Sequence, residues 1–279
     1  MRRPSPLFAL SVLLCIASAT APIESAWGLM TVDGDLSDWG LSNPEEGFST
    51  ADAVGHPVTG HRDGVWYWEE RGAVDDWGYV GPGYGGYDYD ILGLYFTFDA
   101  DNLYFAAVTG MPPGGTDGGN WDGTSWDTDH RYYLGDIAFG LGGLRWAVET
   151  RGGDKGEVFE VSDWEAPSAF PQSGPVGVAG GTLAQGAGQG FAYLALGDSY
   201  EGYGTLYALE AAVSRSALGL DGASLEGMRV HLTETCGNDV ADILVTPEPA
   251  SLILLGTGLL GLAGAARRSG RRRDGQDRS

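Results

Sequence analysis

Carboxylates at short, repeated spacing are the first residues of this 279-residue chain suited to chemistry. Asp117, Asp122, Asp127 and Asp129 stand with Asn120 in one glycine-bearing stretch. Oxygen donors at that density suit calcium, a hard cation that takes roughly six to eight oxygens at about 2.3–2.6 Å. Carboxylates that repel one another in a loop are easier to hold together around a cation. Asp33, Asp35 and Asp38 form a second calcium candidate. Their spacing is not that of an EF-hand, because the sixth position is Asp38 and not glycine. An Asx-turn beside the first strand accounts for the same three residues. Asp88 and Asp90, with Asp75 and Asp76, make a third and sparser group.

Nine tryptophans offer a different chemistry. Trp66, Trp68, Trp77, Trp121 and Trp126 fall in or beside turn-rich stretches, where an aromatic face stacks on the apolar face of a sugar ring. Nearby carboxylates would then take the sugar hydroxyls, an apolar platform with a few polar groups. The competing reading is that large aromatics cover the ends of a glycine-rich fold, with Trp39 and Trp146 in its core. The four histidines, His56, His61, His130 and His231, show no zinc spacing. Gly81–Gly86 satisfies G-x-G-x-x-G without the helix that dinucleotide binding needs. Gly197-Asp198-Ser199 lacks the strand–turn–helix of a hydrolase nucleophile. Paired carboxylates for glycoside hydrolysis stay open as an alternative, though so many acids always supply candidates.

The elements that must position these residues are strands. Leu92, Leu94, Phe96 and Phe98 alternate, Asp99–Asn102 turns the chain, and Leu103, Phe105 and Ala107 alternate back, which predicts a β-hairpin. Ile137–Leu141 and Leu144–Thr150 flank Gly142-Gly143, a two-residue hairpin signal. Further runs are Val158–Val161, Phe191–Leu196, Thr205–Val213, Met228–Thr233 and Val240–Val245, and only Ser214–Leu218 invites a helical turn. Short strands punctuated by glycine predict an all-β fold, an antiparallel sandwich. The strip 172–190, with seven glycines and neither aromatic nor charged residues, reads as a long flexible loop. Stretches 40–64 and 110–129 read as loops too, the usual seat of binding.

Charge divides the chain by position. Residues 27–245 hold 34 acids and eight bases, 26 more acids than bases, against −22 for the whole sequence. Such acidity excludes nucleic acid as a partner, since phosphate would be repelled. The ends are basic. Arg2-Arg3, an apolar run over Leu7–Ile16 and Ala17-Ser18-Ala19 read as a secretory signal peptide within residues 1–26, with cleavage after Ala19 or near Ala26. Cys15 would leave with it, so Cys236 is expected to stand alone and structural. At the other end, Pro247-Glu248-Pro249 precedes a charge-free apolar stretch, 250–266, close to the ~20 residues a spanning helix needs. Arg267, Arg268, Arg271, Arg272 and Arg273 follow in the tail 267–279 and would stay cytoplasmic, placing residues 27–245 outside the inner membrane.

Pro-Glu-Pro, a short Leu/Gly-rich helix and terminal arginines resemble the PEP-CTERM sorting signal of Gram-negative bacteria. The resemblance implies recognition of Pro247, Glu248 and Pro249 by an exosortase, only transient anchoring through 250–266, release to the cell surface or the extracellular space, and an association with exopolysaccharide and biofilm. Thr31–Trp39, with Asp33-Gly34 followed by Asp38-Trp39, is similar to the opening of DOMON-like and family 9 carbohydrate-binding-module domains, as are the hairpin Leu94–Thr109 and Gly135–Phe139. His231–Asp239 resembles the Thr-x-x-Cys-Gly-Asn-Asp segment of many PEP-CTERM surface proteins. These likenesses imply a jelly-roll-type sandwich that binds glycan, calcium or both, without catalysis. The alternatives are a carbohydrate-active hydrolase and a structural matrix protein whose acidity is its function.

Overall fold

The computed structural model describes residues 30–41, 47–48, 57–70, 79–80, 83–84, 86–121, 126–198 and 204–246. The expected signal peptide, the Pro-Glu-Pro motif, the apolar helix and the arginine tail lie outside the described residues. In chain order the strands are β1 (Val58–Arg62), β2 (Val65–Glu69), β3 (Tyr79–Val80), β4 (Gly83–Tyr84), β5 (Ile91–Phe98), β6 (Asn102–Thr109), β7 (Thr116–Trp121) and β8 (Trp126–Tyr132). They continue with β9 (Ile137–Leu141), β10 (Trp146–Val148), β11 (Val158–Glu165), β12 (Gly177–Leu183), β13 (Gly188–Asp198), β14 (Thr205–Ser214), β15 (Met228–Thr233) and β16 (Val240–Leu244). Three short 3-10 turns are the only helical elements among the described residues. The all-β expectation holds.

Two antiparallel six-stranded sheets carry the fold, in the orders β1-β2-β5-β6-β14-β13 and β12-β11-β10-β9-β15-β16. Their inner faces meet in one core: Leu94, Phe96, Phe105 and Leu209 from the first sheet, and Ile137, Phe139, Val230 and Leu232 from the second. The Phe105 and Phe139 rings lie 4.9 Å apart across that boundary. The alternation in β5 and β6 predicts one buried and one wet face, yet β5 is buried from Ile91 to Thr97. The physical reason is a second apolar layer. Leu36, Trp39 and Leu41 cover Leu92, Tyr95, Tyr104 and Ala106 on the outer face of the first sheet.

Three expected loops are strands. The strip 172–190 contains β12 and opens β13. Some of its glycines serve close approach: a Cβ on Gly181 would stand 2.7 Å from the Glu160 carbonyl oxygen, and one on Gly188 would collide with that of Gly156. Gly186, at φ 73°, takes the turn between β12 and β13. Stretch 110–129 contains β7 and the start of β8, which form a separate two-stranded ribbon, and β1 lies within 40–64. Gly142-Gly143 sits in a wider turn than a two-residue hairpin, because Phe139 pairs with Trp146.

Candidate functional site

Asp33, Asp35 and Asp38 are turn residues. Asp35 N–H donates to Asp33 Oδ1 at 2.9 Å, Ser37 N–H to Asp35 Oδ1 at 2.9 Å, and Thr31 N–H to Asp38 Oδ2 at 2.8 Å. This is the Asx-turn and helix-cap pattern, in which the side-chain oxygens replace missing backbone partners. What locks the segment is Glu210, which sequence reading missed. Its carboxylate accepts from Trp39 Nε1 at 2.7 Å, from Gly34 N at 2.5 Å and from Asp33 N at 3.1 Å. The Asp-Gly and Trp of the opening motif are therefore donors to one buried acid on β14. No sequence pattern announces Glu210, since its partners lie more than 170 positions away.

Four of the five residues of the denser acidic group fall on the ribbon strands β7 and β8. Asp117 pairs with Arg131 at 3.1 Å in solvent, Asn120 stands opposite Asp127, and Trp121 opposite Trp126. The side chains of Asn120, Trp121, Trp126, Asp127 and Asp129 lie outside the described residues, as do Asp122 and Trp77. Trp66 and Trp68 are a correction. They occupy alternate positions of β2 and turn toward the core; Trp68 is 5% exposed within it, and Trp66 stacks on Phe98 at 5.7 Å. Neither is a loop platform.

At the root of the ribbon lies the most unusual electrostatic feature of the described residues. Asp90, Glu234 and Asp239 are 4%, 0% and 1% exposed, and among the described residues no ion pair reaches any of them. Asp239 Oδ2 accepts from Ile91 N–H at 2.8 Å, tying the start of β16 to the start of β5. Glu234 Oε2 accepts from Asp239 N–H at 2.8 Å. Among the described residues, Glu234 Oε1 and both polar side-chain atoms of Asn238 have no partner. Burial and the neighbouring acids push the carboxyls upward: Asp90 to about 7, Glu234 and Asp239 well above the ordinary range. A proton on Glu234 belongs on Oε1, because Oε2 already accepts a hydrogen bond.

Cys236, in the same turn, is 4% exposed, and burial followed by Glu234 pushes its thiol up to about 12. A thiol held neutral is no nucleophile, which agrees with the structural role expected of it. Tyr89 is raised to about 12, chiefly by burial, with Cys236 next; it packs against Tyr132 of the ribbon at 6.0 Å. The likeness over His231–Asp239 thus falls on a folded turn with a defined job. Thr233 Oγ1 donates to the Asp239 carbonyl, and Ala169 and Phe170 N–H donate to that of Cys236 at 3.2 and 2.9 Å.

A second acidic group lies around Asp136, whose carboxylate accepts from Thr150 N–H and Val178 N–H at 3.1 Å each. Arg151 stands 4.0 Å from Asp136 and pairs closely with Glu165. Glu149 beside them is raised to about 7, by burial first and by Asp136 next. Among the described residues no group of three or more His, Cys, Asp or Glu has an arrangement that would hold a metal ion.

β16 ends at Leu244, and Val245 and Thr246 are the last described residues. Residues 245–272 match the PEP-CTERM protein-sorting motif. No curated protein and no solved structure matches the chain. The PEP-CTERM motif is the recognition signal of an exosortase and implies an exported protein sorted to the cell surface. Pro247, Glu248, Pro249 and the arginines Arg267, Arg268, Arg271 and Arg272 all fall inside the matched span; Arg273 is the next residue. Among the described residues, no helix is long and apolar enough to cross a membrane.

Proposed function

We propose that this chain is an exosortase-sorted surface protein whose DOMON-like sandwich binds matrix glycan through the end that carries the ribbon, with calcium held by Asp117, Asn120, Asp122, Asp127 and Asp129. The observation that supports the reading is the polarity of the domain. β16 starts beside Ile91, at the ribbon end, and runs toward the sorting motif at its other end. The ribbon, with Trp121 opposite Trp126, is rooted on Tyr89 and Asp88. A protein presented from its C-terminus would then hold paired tryptophans and a carboxylate group away from the point of attachment. Aromatic faces for sugar rings and carboxylates for hydroxyls or calcium suit an exopolysaccharide ligand.

A glycan array with and without Ca²⁺ tests this. Binding that needs Ca²⁺ and disappears in a Trp121→Ala/Trp126→Ala variant supports the reading, and binding unaffected by either change removes it. Glu149 favours a second reading, a glycan hydrolase, because a carboxyl raised to about 7 beside other acids suits a general acid. Release of reducing ends from polysaccharide, lost in Glu149→Gln, would establish that alternative.

A further inference from the structure

The sorting segment and the folded domain overlap. The motif match begins at Val245, and Val245 is 3% exposed. Its N–H donates to the Met228 carbonyl at 2.8 Å, and its own carbonyl accepts from Gly227 N–H at 2.8 Å. Only Thr246, exposed, separates this locked residue from Pro247. Enzymes that cut or transfer a peptide take it as an extended strand, so that its backbone groups and alternate side chains can be read. At about 3.3 Å per residue, the third and fourth residues upstream of Pro247 are Leu244 and Ile243, both in β16. A cleft that grips even three residues before the motif meets a strand already paired.

β16 is built to let go at that end. It is an edge strand with one neighbour, β15. Asp242 and Leu244 face solvent, and Leu244 is 55% exposed. Only Ala241, Ile243 and Val245 anchor it in the core. At its far end, the Asp239 carboxylate bonded to Ile91 N–H stays in place if the last residues fray. Strand ends of this kind open at a small fraction of the global unfolding free energy.

Resting on the sorting reading, we infer that the C-terminal end of β16 is a gate for the sorting enzyme. Residues 243–246 peel from β15 to enter its cleft, and the folded domain sets the processing rate through that opening. When opening is fast relative to cleavage, the rate follows the open population.

The test is a staple. Arg229 and Leu244 are paired directly and both exposed. Because Val245 is hydrogen-bonded to Met228, alternation makes the Arg229–Leu244 pair the non-bonded kind, with Cα atoms about 4.5 Å apart. That lies within disulfide range. The full-length chain carrying R229C and L244C is expressed in an exosortase-bearing bacterium, beside each single variant, and processing is followed by mass. A second pair of chains, with and without the staple, carries a Gly-Ser linker of about eight residues followed by a copied Val-Thr, inserted between Thr246 and Pro247. The staple is expected to slow processing at least ten-fold relative to the L244C single variant, R229C alone to leave it unchanged, and the linker to restore it in the stapled chain. Processing of the stapled chain at the rate of the L244C variant overturns the gate, as does a staple defect that the linker does not relieve. If the wild-type chain itself is never processed, the sorting reading falls and the gate falls with it.

Discussion

Two buried acids in this domain are held in opposite ways. Glu210 sits among three N–H donors, from Asp33, Gly34 and Trp39. Glu234 sits among other acids, with the Asp239 N–H as donor to one oxygen and, among the described residues, no partner for the other. Burial raises both carboxyls first, and in both the hydrogen-bond donors work against that rise while a neighbouring acid adds to it, Asp38 at Glu210 and Asp90 at Glu234. The difference is that Glu234, wholly buried, is raised well above the ordinary range. The first arrangement is a clamp that works when charged. The second keeps its shape by staying protonated, so the ribbon end of the domain is expected to respond to pH and the Glu210 clamp much less.

The largest effect that would break this contrast is at the clamp. Glu210→Ala strands Trp39 Nε1 and two backbone donors beneath the segment that covers the first sheet. A loss of roughly 3 kcal/mol in urea unfolding is expected, and a loss below ~1 kcal/mol would mean the clamp does not hold that segment. Next is pH. Asp90, Glu234 and Asp239 have folded values raised above the unfolded ones near 4, so between about pH 4 and 7 the folded state binds more protons. Stability is therefore highest on the acid side and falls as pH rises through that window. A melting midpoint lower by roughly 5–10 °C at pH 8 than at pH 5 is expected. Glu234→Gln keeps the acceptor for Asp239 N–H and puts an amide where Oε1 has no donor, so it should flatten the profile while Glu210→Gln should not.

A finer test of the same region is Cys236. In a Cys15→Ser background its thiol should stay unmodified by maleimide up to pH 9 in the folded protein and react on unfolding; fast labelling of the native form would contradict its burial. Smallest is a surface control. Arg145 pairs with Glu160 in solvent at 2.7 Å and lies 4.8 Å over the Trp146 ring. Arg145→Ala should cost about 0.5 kcal/mol, far less than the loss of either buried acid.

Strands β5, β6, β9 to β11 and β13 to β16 were legible because each has a period-two or continuous apolar run of its own, as in Leu103–Val108 and Met228–Thr233. The strip 172–190 was not, because glycine that lets two backbones approach, as at Gly181, looks in sequence like glycine that gives freedom. Trp68 misled for a related reason: its side of β2 is decided by the sheet opposite. The clamp at Glu210 and the Asp239–Ile91 tie are long-range pairs that no local pattern encodes. The sorting motif was fully readable because its recognition lies in consecutive residues.

The most direct measurement of the central claim is the intact mass of the protein recovered from the surface of its producing cells. The sorting account predicts a chain that has lost its C-terminal segment beyond the Pro247–Pro249 motif, and a Pro247→Ala/Glu248→Ala variant that retains the segment and stays with the membrane. A surface protein that carries the complete arginine tail, indifferent to those substitutions, would contradict it.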